Sequence, residues 1–156
     1  MAINTAFTAG SVLTATDMND LPFGIAGYQE LTTNFVTSGT HTTFQDNGMT
    51  LTITEIVNRY YRITAYSNPY PSGGLQGVNL RLLRGANALK QGNYSVNVMD
   101  TGTALPVVFT YVYKSAASGS QTYKVQIAAA SANTAVNDYA DATFPRQFII
   151  EDIGLG

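Results

Sequence analysis

Residues 59–67 read RYYRITAYS, and this stretch decides the fold class. The odd-numbered positions from 61 to 65 carry Tyr, Ile and Ala, whereas the even-numbered positions from 60 to 66 carry Tyr, Arg, Thr and Tyr. Alternation with a period of two is typical of a β-strand that buries one face and presents the other face to solvent. The stretch therefore predicts a half-buried strand.

The same period recurs along the chain. It predicts further strands at residues 24–34, 49–56, 78–82, 94–98, 106–114, 123–129 and 146–153. The run PVVFTYVYK at 106–114 is the most apolar, so we expect it to be a central strand. Turn-forming residues separate these strands at 46–48, 68–69, 71–74, 91–93, 100–102 and 118–120. This pattern predicts an all-β fold, an antiparallel β-sandwich that is jelly-roll-like.

The first 24 residues, MAINTAFTAGSVLTATDMNDLPFG, lack this alternation. Thr14 and Asp17 form a capping-box-like pair, which predicts a short helical turn at about residues 16–21. We therefore divide the chain into an N-terminal attachment arm, residues 1–24, and a β-sandwich domain, residues 25–156. The apolar residues of the arm are Phe7, Val12, Leu13, Met18, Leu21 and Phe23. Such a short segment cannot bury them alone, so they either pack back on the domain or dock on a partner.

Composition and charge exclude several classes of function. Lys and Arg number 8 against 10 Asp and Glu, and no basic run is present, so we predict no nucleic-acid partner. No stretch approaches the roughly 18 consecutive apolar residues of a transmembrane helix, so we predict no membrane partner. The chain has no Cys and one His, which excludes disulfide frameworks and thiolate zinc sites.

The titratable residues suggest no catalytic centre. His41 lies in TSGTHTTF, a polar context that predicts an exposed loop. Glu151 and Asp152 are adjacent in a strand, so their side chains should point to opposite faces. Asp138 and Asp141 lie three apart in VNDYADAT, which we interpret as a solvated loop, although a bend there would aim both carboxylates at one point. We therefore predict no catalytic residue, no metal and no cofactor.

Tyrosine is the most informative aromatic residue, because the chain has 10 Tyr and no Trp. A Tyr side chain has an apolar body and a polar tip, which suits both subunit interfaces and sugar faces. We identify Tyr60, Tyr66 and Tyr70 as candidate contacts. The absence of Trp favours a subunit contact over a glycan site.

Three segments carry a resemblance to a known family. Residues 7–24 resemble the opening of small virion proteins of tailed bacteriophages. The matching positions are Thr8-Ala9-Gly10, Val12-Leu13-Thr14-Ala15, Met18-Asn19 and Leu21-Pro22. The closing FIIEDIG at 148–154 and the strand NRYYRITAY at 58–66 are similar to strands of the same group. The resemblance implies a homotrimeric β-sandwich located in the virion.

The leading expectation is a non-enzymatic structural component of a tailed-phage virion, a trimeric capsid decoration (cement) protein. Its partners would be itself and the major capsid protein or a tail protein of the same particle. Low charge independently favours self-association, and closed symmetry is its usual outcome. The alternative is a tail fibre or receptor-binding knob that contacts a host surface glycan, and a third candidate is an esterase- or lyase-type depolymerase.

Overall fold

A computed structural model describes residues 22–38, 41–72, 77–94, 104, 106–130 and 135–155. These ranges contain eleven β-strands and no helix. The strands are β1 (Gly24–Leu31), β2 (Phe35–Val36), β3 (Gln45–Glu55), β4 (Arg59–Ser67), β5 (Pro69–Pro71), β6 (Val78–Arg84), β7 (Asn87–Tyr94), β8 (Val107–Lys114), β9 (Gly119–Ala129), β10 (Val136–Asp138) and β11 (Arg146–Leu155). The predicted helical turn and the arm residues Phe7, Val12, Leu13, Met18 and Leu21 lie outside the described residues.

Eight of the strands form two four-stranded antiparallel sheets. Sheet I has the order β1-β11-β4-β8, and sheet II has the order β3-β9-β6-β7. The chain crosses between the two sheets repeatedly, so that strands remote in sequence become neighbours. This strand order is that of a jelly roll, in which two Greek keys form a sandwich. The predicted all-β antiparallel sandwich is confirmed, and so is its jelly-roll character.

The remaining three strands form a small sheet at one end of the sandwich. Its order is β2-β10-β5, and its strands come from the β1–β3, β9–β11 and β4–β6 connections. We call this the cap end. At the opposite end short connections join β3 to β4, β6 to β7 and β8 to β9, and we call it the turn end. Phe23 and Leu155 lie at the turn end.

The core lies between the two sheets and follows the predicted alternation. In β4 and β11 the inward residues are buried, and so are most of their counterparts in sheet II, where Leu51 and Leu89 are partly buried. The principal core residues are Met49, Tyr61, Ile63, Leu80, Leu82, Tyr123, Val125, Ile127, Phe148 and Ile150. Each such side chain contributes about 1.5–3 kcal/mol relative to an exposed position, which makes this interior the main source of stability.

One side of the sandwich is closed by a side chain. The edge strands β1 and β3 lie next to each other, and the Gln29 amide bridges them. Its Nε2 donates to the carbonyl oxygen of Gly48 at 3.3 Å, and its Oε1 accepts from the backbone N–H of Thr50 at 2.8 Å. The amide therefore takes the place of a peptide group between two strands that belong to different sheets.

The prediction that the run at 106–114 is a central strand is wrong. β8 lies at the edge of sheet I and pairs with β4 alone among the described strands. Its outward residues Val108 and Val112 are 54% and 47% exposed. The run is therefore apolar because its inward residues are buried or half-buried and its outward residues form an exposed apolar face. It is not buried on both sides.

Two predicted turns are also wrong. Asp46-Asn47-Gly48 lies inside β3 as a bulge, where the pairing register with β9 shifts between Asp46 and Thr50. Gly48 has φ 91°, a left-handed conformation that Gly adopts without strain. The predicted turn at 91–93 lies inside β7, whose last residue is Tyr94. The rest of the predicted strand, residues 95–98, lies outside the described residues. The hairpin turn occurs instead at Gly85, which has φ 58°.

Candidate functional site

The two outer faces of the sandwich have different chemistry. On sheet II the outward side chains are mainly polar and bond to one another across the strands. Lys124 Nζ and Gln126 Nε2 donate to the Asp46 carboxylate at 2.7 and 2.6 Å. The hydroxyls of Thr52 and Thr122 lie 2.8 Å apart. This face satisfies its own polar groups and suits contact with water.

The outer face of sheet I presents exposed apolar side chains. They extend over strands β1, β4 and β8, so the apolar surface spans the sheet. The exposed fractions are 67% for Ile25, 50% for Tyr28, 40% for Tyr66, 54% for Val108 and 47% for Val112. Exposed apolar side chains grouped on one face of a domain are typical of an interaction site.

The polar groups on this outer face of sheet I are paired within the chain. Arg62 donates from Nε and Nη2 to the two oxygens of Glu151 at 2.7 and 2.8 Å. These hydrogen bonds hold the pKa of Glu151 below its usual range. The Tyr28 hydroxyl donates to Glu30 at 2.6 Å and holds the pKa of Glu30 below its usual range. A partner would therefore cover the face without leaving these groups unpaired.

The structure separates the three tyrosines singled out in the sequence. Tyr60 and Tyr66 lie on the outer face of sheet I, six residues apart on β4, which corresponds to about 20 Å along a strand. Tyr66 belongs to the exposed apolar surface, and Lys114 Nζ lies 5.5 Å from the centroid of the Tyr60 ring. Tyr70 lies in β5 at the cap end. The three residues therefore do not line one common site.

Phe23 is the one apolar arm residue within the described ranges. Its ring lies 4.0 Å from Cζ of the buried Arg59, whose Nε donates to Asp152 at 2.6 Å. The exposed Phe23 ring borders a cavity of about 420 Å³ at the turn end. The other residues that line this cavity are Ile56, Val57, Asn58, Arg59 and Leu155. The last residues assigned to the arm thus contact the sandwich, and Gly24 already pairs with Asp152 in sheet I.

Asp138 and Asp141 have separate sets of partners. Asp138 is fully buried in β10, so its placement in a solvated loop is wrong. Its carboxylate accepts hydrogen bonds from Asn47 Nδ2 and Ser67 Oγ, both at 2.8 Å, and from Arg146 Nη1 at 3.2 Å. Burial of the charge requires these partners. This carboxylate joins β3, β4, β10 and β11 and has a structural role.

Asp141 remains in a partly exposed loop. It accepts a hydrogen bond from the Tyr139 hydroxyl and, at 2.7 Å each, from the backbone N–H groups of Thr143 and Phe144. These bonds hold the pKa of Asp141 below its usual range. Asp138 and Asp141 therefore do not form the close acid pair that a bend in this segment would have produced.

For the remaining titratable residues, the prediction for Glu151 and Asp152 is confirmed and the prediction for His41 is wrong. Glu151 points outward to Arg62 and Asp152 inward to Arg59, which confirms the predicted divergence. His41 lies in a turn, but it is half-buried, so its predicted exposure is wrong. Its Nδ1 lies 3.2 Å from Thr37 Oγ1, and its backbone oxygen accepts from the N–H of Ala129 at 2.8 Å. These contacts hold the turn against the domain.

Sequence reasoning missed a buried polar network at the turn end. Glu55 is fully buried, and Arg84 donates to its two oxygens from Nε and Nη2, each at 2.9 Å. Ser115 Oγ donates at 2.5 Å, and the Tyr123 hydroxyl donates as well. Burial alone would raise the pKa of Glu55, but these hydrogen bonds outweigh it and hold the pKa below its usual range. The sequence pattern does carry a signal for this residue, because Glu55 falls on the same alternating set of strand positions as the buried Met49 and Ile53.

Across the part of the chain that the structure describes, no three His, Cys, Asp or Glu side chains come together as a metal site would require. The same ranges hold no helix that is long and apolar enough to cross a membrane.

Comparison with known proteins gave structural similarity without a sequence match. No protein-family model and no curated protein matches the chain. Among solved structures, the crystal structure of the infectious bursal disease virus VP2 subviral particle aligns with a TM-score of 0.41 and 9% sequence identity. The alignment covers 83% of this chain and 38% of that chain, so the present chain corresponds to well under half of that protein. The jelly-roll assignment rests on the strand order of sheets I and II.

Proposed function

We propose that the chain is a non-enzymatic structural component of a tailed-phage virion, a capsid decoration (cement) protein that acts as a homotrimer. Its partners are its own copies and the major capsid protein. The single observation that carries the proposal is the exposed apolar outer face of sheet I, beside a sheet II whose outer face is polar. A domain built to remain monomeric would not expose so much apolar surface on one side.

The virion assignment draws on the N-terminal segment. The motif at Thr8-Ala9-Gly10 and the motifs that follow it up to Leu21-Pro22 resemble those of small phage virion proteins. A jelly-roll domain preceded by an N-terminal arm suits attachment to a larger assembly, because a partner would bury the apolar arm residues Phe7, Val12 and Leu13.

Imaging of the particle tests this proposal. Antibody fragments raised against the purified protein would be applied to virions produced from the genome that encodes the chain and imaged by electron microscopy. We expect regular labelling of the capsid shell at positions between capsomers. Unlabelled virions would refute the virion assignment, and labelling confined to the tail would refute decoration.

The role of the arm is tested by truncation. A chain that begins at Pro22 retains Phe23 and the whole of β1, so we expect it to keep a cooperative unfolding transition by circular dichroism. We also expect it to lose binding to capsids that lack the protein, in a co-sedimentation assay beside the full-length chain. If the truncated chain is unfolded, the arm belongs to the folded domain; if it still binds, attachment lies elsewhere.

A second candidate, a tail fibre or receptor-binding knob, is favoured by the loop between β10 and β11. The Phe144 ring is exposed at this loop, and Asp141 fixes the loop backbone. A rigid loop with an aromatic tip suits contact with a glycan. Binding of the purified protein to host surface polysaccharide that is lost in Phe144→Ala, together with labelling at the tail, would support this candidate over decoration.

A further inference from the structure

We infer that the outer face of sheet I is the contact surface between copies of this chain, with the β1–β11 half of one copy packed against the β4–β8 half of the next. The inference rests on the trimer of the proposed function and assigns the surface that forms it. The alternative occupant of the face is the major capsid protein, and the experiment below distinguishes the two.

The charges on this outer face of sheet I divide it into two halves of opposite sign. The β1–β11 half carries Glu30 and Glu151, and the β4–β8 half carries Arg62 and Lys114. These four are the charged side chains that the described strands place on the outer face. Contact between an acidic half and a basic half is favourable, whereas contact between two like halves is unfavourable. Because Arg62 and Glu151 bond to each other within one chain, the contrast between the halves rests on Glu30 and Lys114. A two-fold pair would also set acidic halves against basic halves, and a closed head-to-tail ring is the arrangement that gives the trimer of the proposed function.

Exposed apolar residues lie on both halves of the face. Ile25 and Tyr28 are exposed on the β1–β11 half, and Val108 and Val112 are exposed on the β4–β8 half. Each half therefore offers apolar side chains to the other. The Arg62–Glu151 pair keeps its internal hydrogen bonds at 2.7 and 2.8 Å, so burial of the pair leaves no charge unpaired.

The size of the face sets how much surface each contact covers. Four strands spaced about 4.8 Å apart, each about eight residues long, cover about 500 Å² in projection. In a ring of three, each contact joins one half-face from each of two copies, so it covers about 500 Å² in projection, which is below the roughly 1,200–2,000 Å² of a standard-size interface. Side chains that stand above the sheet increase the accessible area beyond the projection.

Matched substitutions of the full-length chain test the assignment. Val112→Lys places a charge at an exposed position of the edge strand β8 on sheet I. Thr54→Lys places the same charge at an exposed position of the edge strand β3 on sheet II. Oligomeric state would be measured by native mass spectrometry and sedimentation velocity at micromolar concentration. Thermal unfolding monitored by circular dichroism shows whether each variant is folded.

We expect the wild-type chain and Thr54→Lys to be trimers and Val112→Lys to be a folded monomer. A second pair tests the electrostatic part: Lys114→Glu should weaken the trimer about tenfold, and Lys124→Glu on sheet II, with the same change in net charge, should not. A folded Val112→Lys trimer would overturn the assignment, as would equal dissociation of both Lys variants. Should Val112→Lys fail to fold, the Lys114→Glu and Lys124→Glu pair decides alone.

The failure of this inference is distinguishable from that of the proposed function. A wild-type monomer that nevertheless labels capsids would show that the face of sheet I meets the capsid protein, which overturns the inference and leaves the virion role. A trimer that never labels virions would overturn the virion role and leave the inference about the contact surface.

Discussion

Glu55→Gln should destabilise the protein strongly although it changes almost no volume. The Glu55 carboxylate lies at the turn end and is bonded to Arg84 of β6, to Ser115 after β8 and to Tyr123 of β9. Gln fills the same space, so the packing of the core is preserved. The substitution removes the negative charge and leaves the Arg84 guanidinium without its ionic partner.

The magnitude follows from burial. Breaking a buried ion pair costs about 3–5 kcal/mol, because one charge remains without compensation. The Arg84 side chain is 18% exposed and the Glu55 side chain 0%, so water reaches the guanidinium and the lower value applies. We therefore expect the free energy of unfolding to fall by about 3 kcal/mol. For a chain of this size that corresponds to a fall in Tm of about 6–12 °C.

The dependence on pH gives a second signature. The pKa of Glu55 is lower in the folded protein than in the unfolded chain, so its charge contributes stability above the unfolded pKa. This contribution is lost as the pH falls through the folded pKa. The difference in unfolding free energy between wild type and Glu55→Gln should therefore be full at neutral pH and shrink below about pH 4.

Urea unfolding at a series of pH values measures both quantities. Asp46→Asn is the matched control, because it removes the same charge from the Lys124–Asp46 pair on the outer face of sheet II, whose side chains are 37% and 41% exposed. Exposed pairs contribute only about 0–1 kcal/mol. Equal losses in the two variants, or a loss in Glu55→Gln that does not change with pH, would refute the reasoning.

Three further substitutions probe the packing and the backbone, each by denaturant unfolding. Phe148→Ala removes a fully buried ring from the centre of sheet I and should cost about 3–5 kcal/mol; a loss below about 1 kcal/mol would contradict the placement of this ring. Gly27→Ala would place a Cβ 3.0 Å from Cγ2 of the buried Ile53 and should cost about 1–3 kcal/mol, and unchanged stability would show that β1 and β3 are not so close. Asn58→Val forces a β-branched residue to φ 66° and should cost about 1–2 kcal/mol, and the absence of any loss would contradict this turn conformation.

Local pattern predicted the strands where one face is buried. The bounds of β4 agree with the predicted stretch at 59–67, and β11 extends the predicted one by two residues. Period-two alternation records burial directly, so it locates such strands well. It does not record which strand is the neighbour. The prediction that β8 is a central strand was therefore wrong, because the pattern does not distinguish an apolar residue buried in the core from one on an exposed outer face.

The sequence pattern did not predict the polar networks, because it does not indicate which residues distant in sequence become neighbours. Asn47 and Asp138 are separated by 91 positions, yet Asn47 donates to Asp138 at 2.8 Å. A run of turn-forming residues such as Asp46-Asn47-Gly48 predicts a turn. In the folded protein the pairing of β3 with β9 continues past this run, which therefore forms a β-bulge. The sequence singles out Tyr60, Tyr66 and Tyr70 as candidate contacts, but their distribution between sheet I and the cap end depends on the three-dimensional order of the strands.

The Gln29 bridge has a consequence for solubility at high concentration. A sandwich has open edges where unpaired backbone groups can recruit a strand from another molecule, and such addition leads to fibres. Between β1 and β3 the Gln29 amide occupies the Gly48 carbonyl and the Thr50 N–H, so that this seam offers a newcomer fewer free groups. The side-chain bridge therefore lowers the tendency of this edge to polymerise strand by strand.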